Sequence, residues 1–202
     1  METHKGQCRS MPMLYKILSD ELGAESYLAL APSHLYIKHI DEQGKWVNIE
    51  LTNGHFASDA WIMSSTEISV ESIRKGVYMK ELNETETIAF CMSDLTQCYR
   101  RQYKYDDFTL LCLQEATKYF PSCVNAQMHK YHNLREIGLA YQEKYGDNRD
   151  SFAEQNYKEF KAVDKLIDEL GYRDMSPEAY EKWQNDMRVE KQKQASKNYK
   201  IN

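Results

Sequence analysis

Three side chains in the first quarter of this 202-residue chain are of the types that together perform thiol chemistry. They are Cys8 in Gly6-Gln7-Cys8-Arg9, His34 in Pro32-Ser33-His34-Leu35, and Glu50 in Trp46-Val47-Asn48-Ile49-Glu50-Leu51-Thr52. A thiolate is a nucleophile for carbonyl carbon, an imidazole moves the proton, and a carboxylate orients the imidazole and stabilises its charged form. Cys8 is expected at the start of the first helix, where unpaired N–H groups and the positive end of the helix dipole stabilise a thiolate. Gly6 lets the chain turn closely into that position, and the backbone N–H of Cys8 is a candidate oxyanion donor. A lone cysteine at a helix start is usually a buried thiol. The ordered histidine and acid set this one apart.

The elements that must position these groups can be read from the pattern of apolar residues. Met11, Leu14, Tyr15, Leu18 and Leu22 recur at three- and four-residue spacing. That predicts a helix from about Cys8 to Leu22 with one buried stripe, stopped by Gly23. Three extended segments follow at 26–31, 34–40 and 45–51, with Asp41-Glu42-Gln43-Gly44 as a hairpin turn and Thr52-Asn53-Gly54 as the next turn. Pairing residue 40 with residue 44 sets His34 directly opposite Glu50, whereas pairing 40 with 45 breaks that register. His39 and His55 read as surface or turn residues, and Asp59 and Trp61 as lining or packing residues near the strands.

The remainder is helical, with helices expected at about 67–75, 84–104, 106–120, 124–145, 151–170 and 177–196. Ser151 with Glu154 reads as a capping box, and Phe160, Val163, Ile167 and Leu170 form the stripe of that helix before Gly171 stops it. Ser176-Pro177 is a strong helix start. The stretch Tyr105-Asp106-Asp107-Phe108 through Leu111, Ala116 and Tyr119 to Pro121 resembles the second helix of a tetratricopeptide repeat. The fold class is therefore α+β, with residues 1–76 as a helix-plus-antiparallel-strand core and 77–202 as a helical, repeat-like region.

Composition narrows the function classes. The 26 basic and 31 acidic residues leave a net charge of -5, the opposite of a general nucleic-acid binder. The basic residues after Arg188 read as a solvated helix end without an aromatic stacking platform. No apolar run approaches a membrane span, and Met1-Glu2-Thr3-His4-Lys5 carries no apolar signal core. The five cysteines are odd in number and form no Cys-x-x-Cys, so no zinc site and no metal or other cofactor is expected. Cys91, Cys98 and Cys112 read as small buried hydrophobes in a reducing compartment, which makes the expected location cytoplasmic unless a signal segment lies upstream.

The stretch from Gly6 to Thr52 resembles the core of the transglutaminase-like superfamily. Members open a helix with Gly-x-Cys, place the histidine on a following strand, and place Trp and an acid before a Thr on the next. Here these are Gly6-Gln7-Cys8, His34, and Trp46 through Glu50-Leu51-Thr52; the acid is Glu50 where the family more often has Asp. The resemblance implies a papain-like mechanism with Cys8 as nucleophile, His34 as general base and acid, and Glu50 as orienting residue. Its reaction would be attack on an amide carbonyl of a peptide or protein substrate, followed by hydrolysis or transamidation. The alternative is a catalytically inactive scaffold of the same fold whose helical half, rich in tyrosine (15 in the chain), binds a peptide or protein partner.

Overall fold

A computed structural model describes residues 6–104, 106–147, 150–172 and 176–198. The architecture is mixed, as expected: helices and one four-stranded antiparallel sheet. The chain divides into two compact units, Met1–Leu82 with Arg173–Asn202, and Asn83–Tyr172. The first unit thus runs past the expected boundary at 76 and takes in the last segment as well. Residues 77–82 belong to it because they lie along the free edge of the first strand. The Met79 N–H donates to the Leu30 carbonyl (2.9 Å) and the Leu82 N–H to the Leu28 carbonyl (2.8 Å). Covering an edge in this way satisfies backbone groups that would otherwise invite pairing with another chain.

The first unit opens with α1 (Ser10–Glu21). Strands β1 (Ser26–Ala31), β2 (His34–Ile40), β3 (Trp46–Glu50) and β4 (His55–Ala57) then form a meander in sequence order. Helices α2 (Asp59–Thr66) and α3 (Val70–Arg74) follow. The sequence reading did not foresee β4 or α2, and it gave α3 a longer span. Three residues are too few for alternation to show, and the apolar residues of α2 form no clear stripe. The β1–β2 register pairs Ala31 with His34 across Pro32-Ser33, with Ser33 held at φ 54°. Alternation along these strands puts Leu28, Leu30, Leu35 and Ile37 on one face, and Ala29, Ala31, His34 and Tyr36 on the other. All eight are buried.

Helix α1 ends as foreseen. Gly23 takes φ 68°, its N–H bonds the Asp20 carbonyl, and the Ala24 N–H bonds the Ser19 carbonyl, the two bonds of a Schellman stop. Its buried face is not the expected one. Leu14, Leu18 and Leu22 are 40%, 53% and 83% exposed, whereas Pro12 and Ser19 are buried. The Ser19 hydroxyl hydrogen-bonds the Ser26 hydroxyl at the start of β1. That polar contact and two small side chains set the rotation of the helix, and the leucine stripe is left outward.

Among the described residues the second unit is four consecutive helices, α4 (Glu84–Tyr103), α5 (Asp107–Tyr119), α6 (Val124–Tyr145) and α7 (Ser151–Glu169), each packed on the next. Asn83 and Glu86 form a full capping box at α4, and Asp106 and Thr109 do so at α5. At α7 the cap is Asp150, which accepts from the Phe152 and Ala153 N–H groups, and the expected cap Ser151 is the first helical residue. Asp precedes Ser here and takes the role because a carboxylate both accepts the free N–H groups and meets the helix dipole. Phe90, Leu113, Ala116, Phe120, Val124 and Leu134 are buried, and Leu134 joins Val163 and Ile167 in a cluster between α6 and α7. Cys112 is buried as expected, but Cys91 is half-buried and Cys98 exposed. Burial and the nearby Asp106 carboxylate push the Cys112 thiol up. No helix among the described residues is long and apolar enough to cross a membrane.

Candidate active site

The hairpin between β2 and β3 decides how His34 meets Glu50. Asp41 pairs with Lys45: the Asp41 N–H donates to the Lys45 carbonyl (2.9 Å), and the Gly44 N–H donates to the Asp41 carbonyl (2.9 Å). The Asp41 carboxylate also accepts from the Gln43 and Lys45 N–H groups (3.0 and 2.8 Å). The loop is therefore the three residues Glu42-Gln43-Gly44, with Gly44 at φ 75°, where only glycine sits without strain. The register pairs Ile40 with Trp46 and Ile37 with Ile49. This corrects the expected pairing of 40 with 44 by two residues. An even shift keeps every side chain on its face, so His34 and Glu50 remain neighbours, diagonal across the strand pair rather than directly opposed. Diagonal neighbours lie within reach of long side chains.

The reach is made. His34 Nε2 hydrogen-bonds Glu50 Oε2. The other carboxylate oxygen accepts from the Thr52 N–H at 2.8 Å. His34 is 6% exposed and Glu50 2%. Burial works against a charged imidazole, but polar contact with Cys8 and the hydrogen bond and charge of Glu50 outweigh it, and His34 is pushed up to about 9. Burial likewise opposes the Glu50 carboxylate. The hydrogen bond and charge of His34, with the Thr52 N–H, overcome it and hold Glu50 below its usual range.

Cys8 lies in a turn one residue before Arg9, the N-cap of α1, so the helix begins at Ser10, two residues later than expected. The turn is held by the Gln7 N–H donating to Ser10 Oγ (2.9 Å) and the Met11 N–H donating to the Gln7 carbonyl (3.0 Å). Cys8 is half-buried and free. It is the second polar neighbour of the His34 ring. Since Nε2 is taken by Glu50, Nδ1 is the nitrogen left for the thiol, and Nδ1 makes no hydrogen bond among the described residues. The sulfur therefore stands near the ring without a formed hydrogen bond.

No family model, curated protein or solved structure matches this chain.

The rest of the first unit surrounds the pair with groups the sequence reading did not single out. Tyr36 lies parallel to the His34 ring at 6.4 Å, and its hydroxyl, buried and without a hydrogen-bond partner among the described residues, is pushed up by burial and by the charges of Asp59 and Glu81. Trp183, from α8 (Pro177–Asn198), meets the same ring edge-on at 5.3 Å and is 8% exposed. One turn later Met187 Sδ accepts from the buried Asn53 side-chain amide at 3.6 Å. The signal for these two residues was in the sequence: a Trp and a Met four apart are the large buried apolar residues of a helix that is otherwise charged and polar. His55 is half-buried, hydrogen-bonds Asn53 and meets Trp61 edge-on at 5.0 Å, which makes both packing residues. Asp59 accepts from the Asn48 amide (2.7 Å) and so ties the start of α2 to β3.

Proposed function

We propose that this chain carries a transglutaminase-like core and acts as a thiol acyl-transfer enzyme on an amide of a peptide or protein substrate. The observation that carries this reading is the buried His34–Glu50 pair with Cys8 as the ring's other polar neighbour. A buried carboxylate on one ring nitrogen fixes the imidazole's orientation and leaves the other nitrogen for the nucleophile.

The step begins with His34 as imidazolium and Cys8 as thiolate. Cys8 Sγ attacks the amide carbonyl carbon, and the electron pair moves to the oxygen. Collapse of the tetrahedral intermediate breaks the C–N bond, and His34 gives its proton to the departing amine. A thioester remains on Cys8. Water or a second amine then attacks the thioester, His34 takes a proton from it, and the C–S bond breaks to restore the thiolate. Hydrolysis and transamidation differ only in that last nucleophile. Glu50 stays ionised and hydrogen-bonded throughout.

The test is iodoacetamide labelling of each cysteine, read by peptide mass. Cys98, exposed on α4, is the internal reference. Cys8 is expected to react at neutral pH at least about tenfold faster than Cys98, and to lose that advantage in His34→Ala. A Cys8 rate no greater than that of Cys98 would sink the proposal.

A further inference from the structure

We infer that Trp183 is a positioning residue for the His34–Glu50 pair: it covers the imidazole, keeps water from the buried hydrogen bond, and holds the ring with Nδ1 toward Cys8. The inference rests on the reading of His34 as the base that serves Cys8.

The imidazole is held on several sides. Glu50 takes Nε2, Tyr36 lies parallel to the ring at 6.4 Å, and Trp183 stands across it at 5.3 Å with an interplanar angle of 63°. Two of these come from the sheet. The third comes from α8, far along the chain. Histidine has two rotatable side-chain bonds, and its second torsion is broad, so one hydrogen bond does not define the ring plane. A flat side chain packed across the ring does. The same packing explains the burial of His34: β2 starts at this residue, right after the exposed turn residue Ser33. A strand start beside an exposed turn would otherwise be open to water. Removing water strengthens a hydrogen bond between charged groups, because the local dielectric falls.

Helix α8 packs on α2 and is anchored by two buried side chains. Trp183 and Met187 are its buried hydrophobic residues among those described, and most of its other described side chains are exposed. Met187 instead reaches Asn53, in the turn after β3. The two anchors therefore separate the roles. If α8 served only to complete the packing of the unit, loss of either anchor would act alike. If Trp183 positions the pair, only its own loss reaches His34.

The experiment follows the Nε2–H proton of His34 by NMR in the full chain labelled with ¹⁵N-histidine at neutral pH. In the unaltered protein this proton is expected to exchange slowly with water and to give a resolved, downfield resonance. Trp183→Ala should speed the exchange at least about a hundredfold and broaden the resonance away, whereas Trp183→Phe, which keeps a flat cover, should stay within about tenfold of the original rate. Met187→Ala should retain the resonance. If Trp183→Ala does not fold, Trp183→Leu keeps an apolar anchor without the flat ring and carries the same expectation. A protected resonance in Trp183→Ala, or an equal loss in Met187→Ala, overturns the inference. Cys8 labelling is read on the same samples. A slow Cys8 in the unaltered protein beside a protected His34 proton defeats the acyl-transfer reading alone. A fast Cys8 whose rate ignores Trp183 defeats the positioning role alone.

Discussion

Replacing Glu50 with glutamine keeps the size of the side chain and removes its charge, which makes it the sharpest probe of the buried pair. His34 is pushed up to about 9 in the folded protein, from 6.5 for a free side chain, although burial alone would lower it. The group therefore binds its proton more tightly folded than unfolded. Its stabilising contribution is fully present below the unfolded value, near 6.5, and is lost as pH rises through about 9. At pH 8 the folded protein holds nearly a whole proton on His34, and the unfolded chain almost none. Linkage then makes the stability fall by about 1 kcal/mol per pH unit between roughly pH 7 and 9. In Glu50→Gln the carboxylate charge that, together with Cys8, offsets burial is gone, His34 is expected to hold its proton more weakly, and that slope becomes shallower. The assay is urea unfolding at a series of pH values, followed by intrinsic fluorescence. All three tryptophans, Trp46, Trp61 and Trp183, lie in the unit that holds the site, so the signal reports that unit. The other histidines and the four cysteines besides Cys8 contribute to both proteins and cancel in the comparison. Equal slopes in the two proteins would refute the reasoning.

Two further substitutions test how the scaffold is built. Ser33 is a non-glycine residue at φ 54° in the tight turn that delivers His34 to β2, so Ser33→Gly is expected to stabilise the first unit by about 1 kcal/mol, measured by the urea midpoint of tryptophan fluorescence; a lower midpoint would show that the serine side chain matters more than the backbone strain. Asn83→Ala removes the capping box of α4 and is expected to cost the second unit about 1 kcal/mol, read by circular dichroism, while leaving Cys8 labelling unchanged. A changed Cys8 rate would contradict the assignment of the site to the first unit alone.

Local signals carried much of this molecule. The strands at 26–31 and 34–40, the glycine stops at Gly23 and Gly171, and helix α6 at 124–145 follow from periodicity and turn chemistry, which act over a few residues and are visible in the order of side chains. The candidacy of Cys8, His34 and Glu50 came from residue type and order in the same way. The sequence even contained the means to set the register correctly. Asp41 followed by Gly44 suits a three-residue loop closed by a side-chain carboxylate, and the shift it causes is even, so the side chains on each face were right although the partners were not.

Other features depended on contacts that sequence order does not encode. The buried face of α1 was misjudged because Ser19 and Ser26, an unremarkable pair in a list of residues, meet in space and turn the leucines outward. The charge on His34 could not be read from its neighbours in the chain, because it is the balance of burial against Glu50 and Cys8, and burial exists only once the sheet is formed and covered. Trp183 and Met187 reach the site from the far end of the chain; Met187 lies 134 positions from Asn53. The sequence by itself determined which groups are present and which local elements carry them, because backbone geometry and side-chain period are short-range. Only the tertiary structure decided that His34 and Glu50 are dry, paired and covered, because excluding water takes side chains from distant segments packed on the same few atoms.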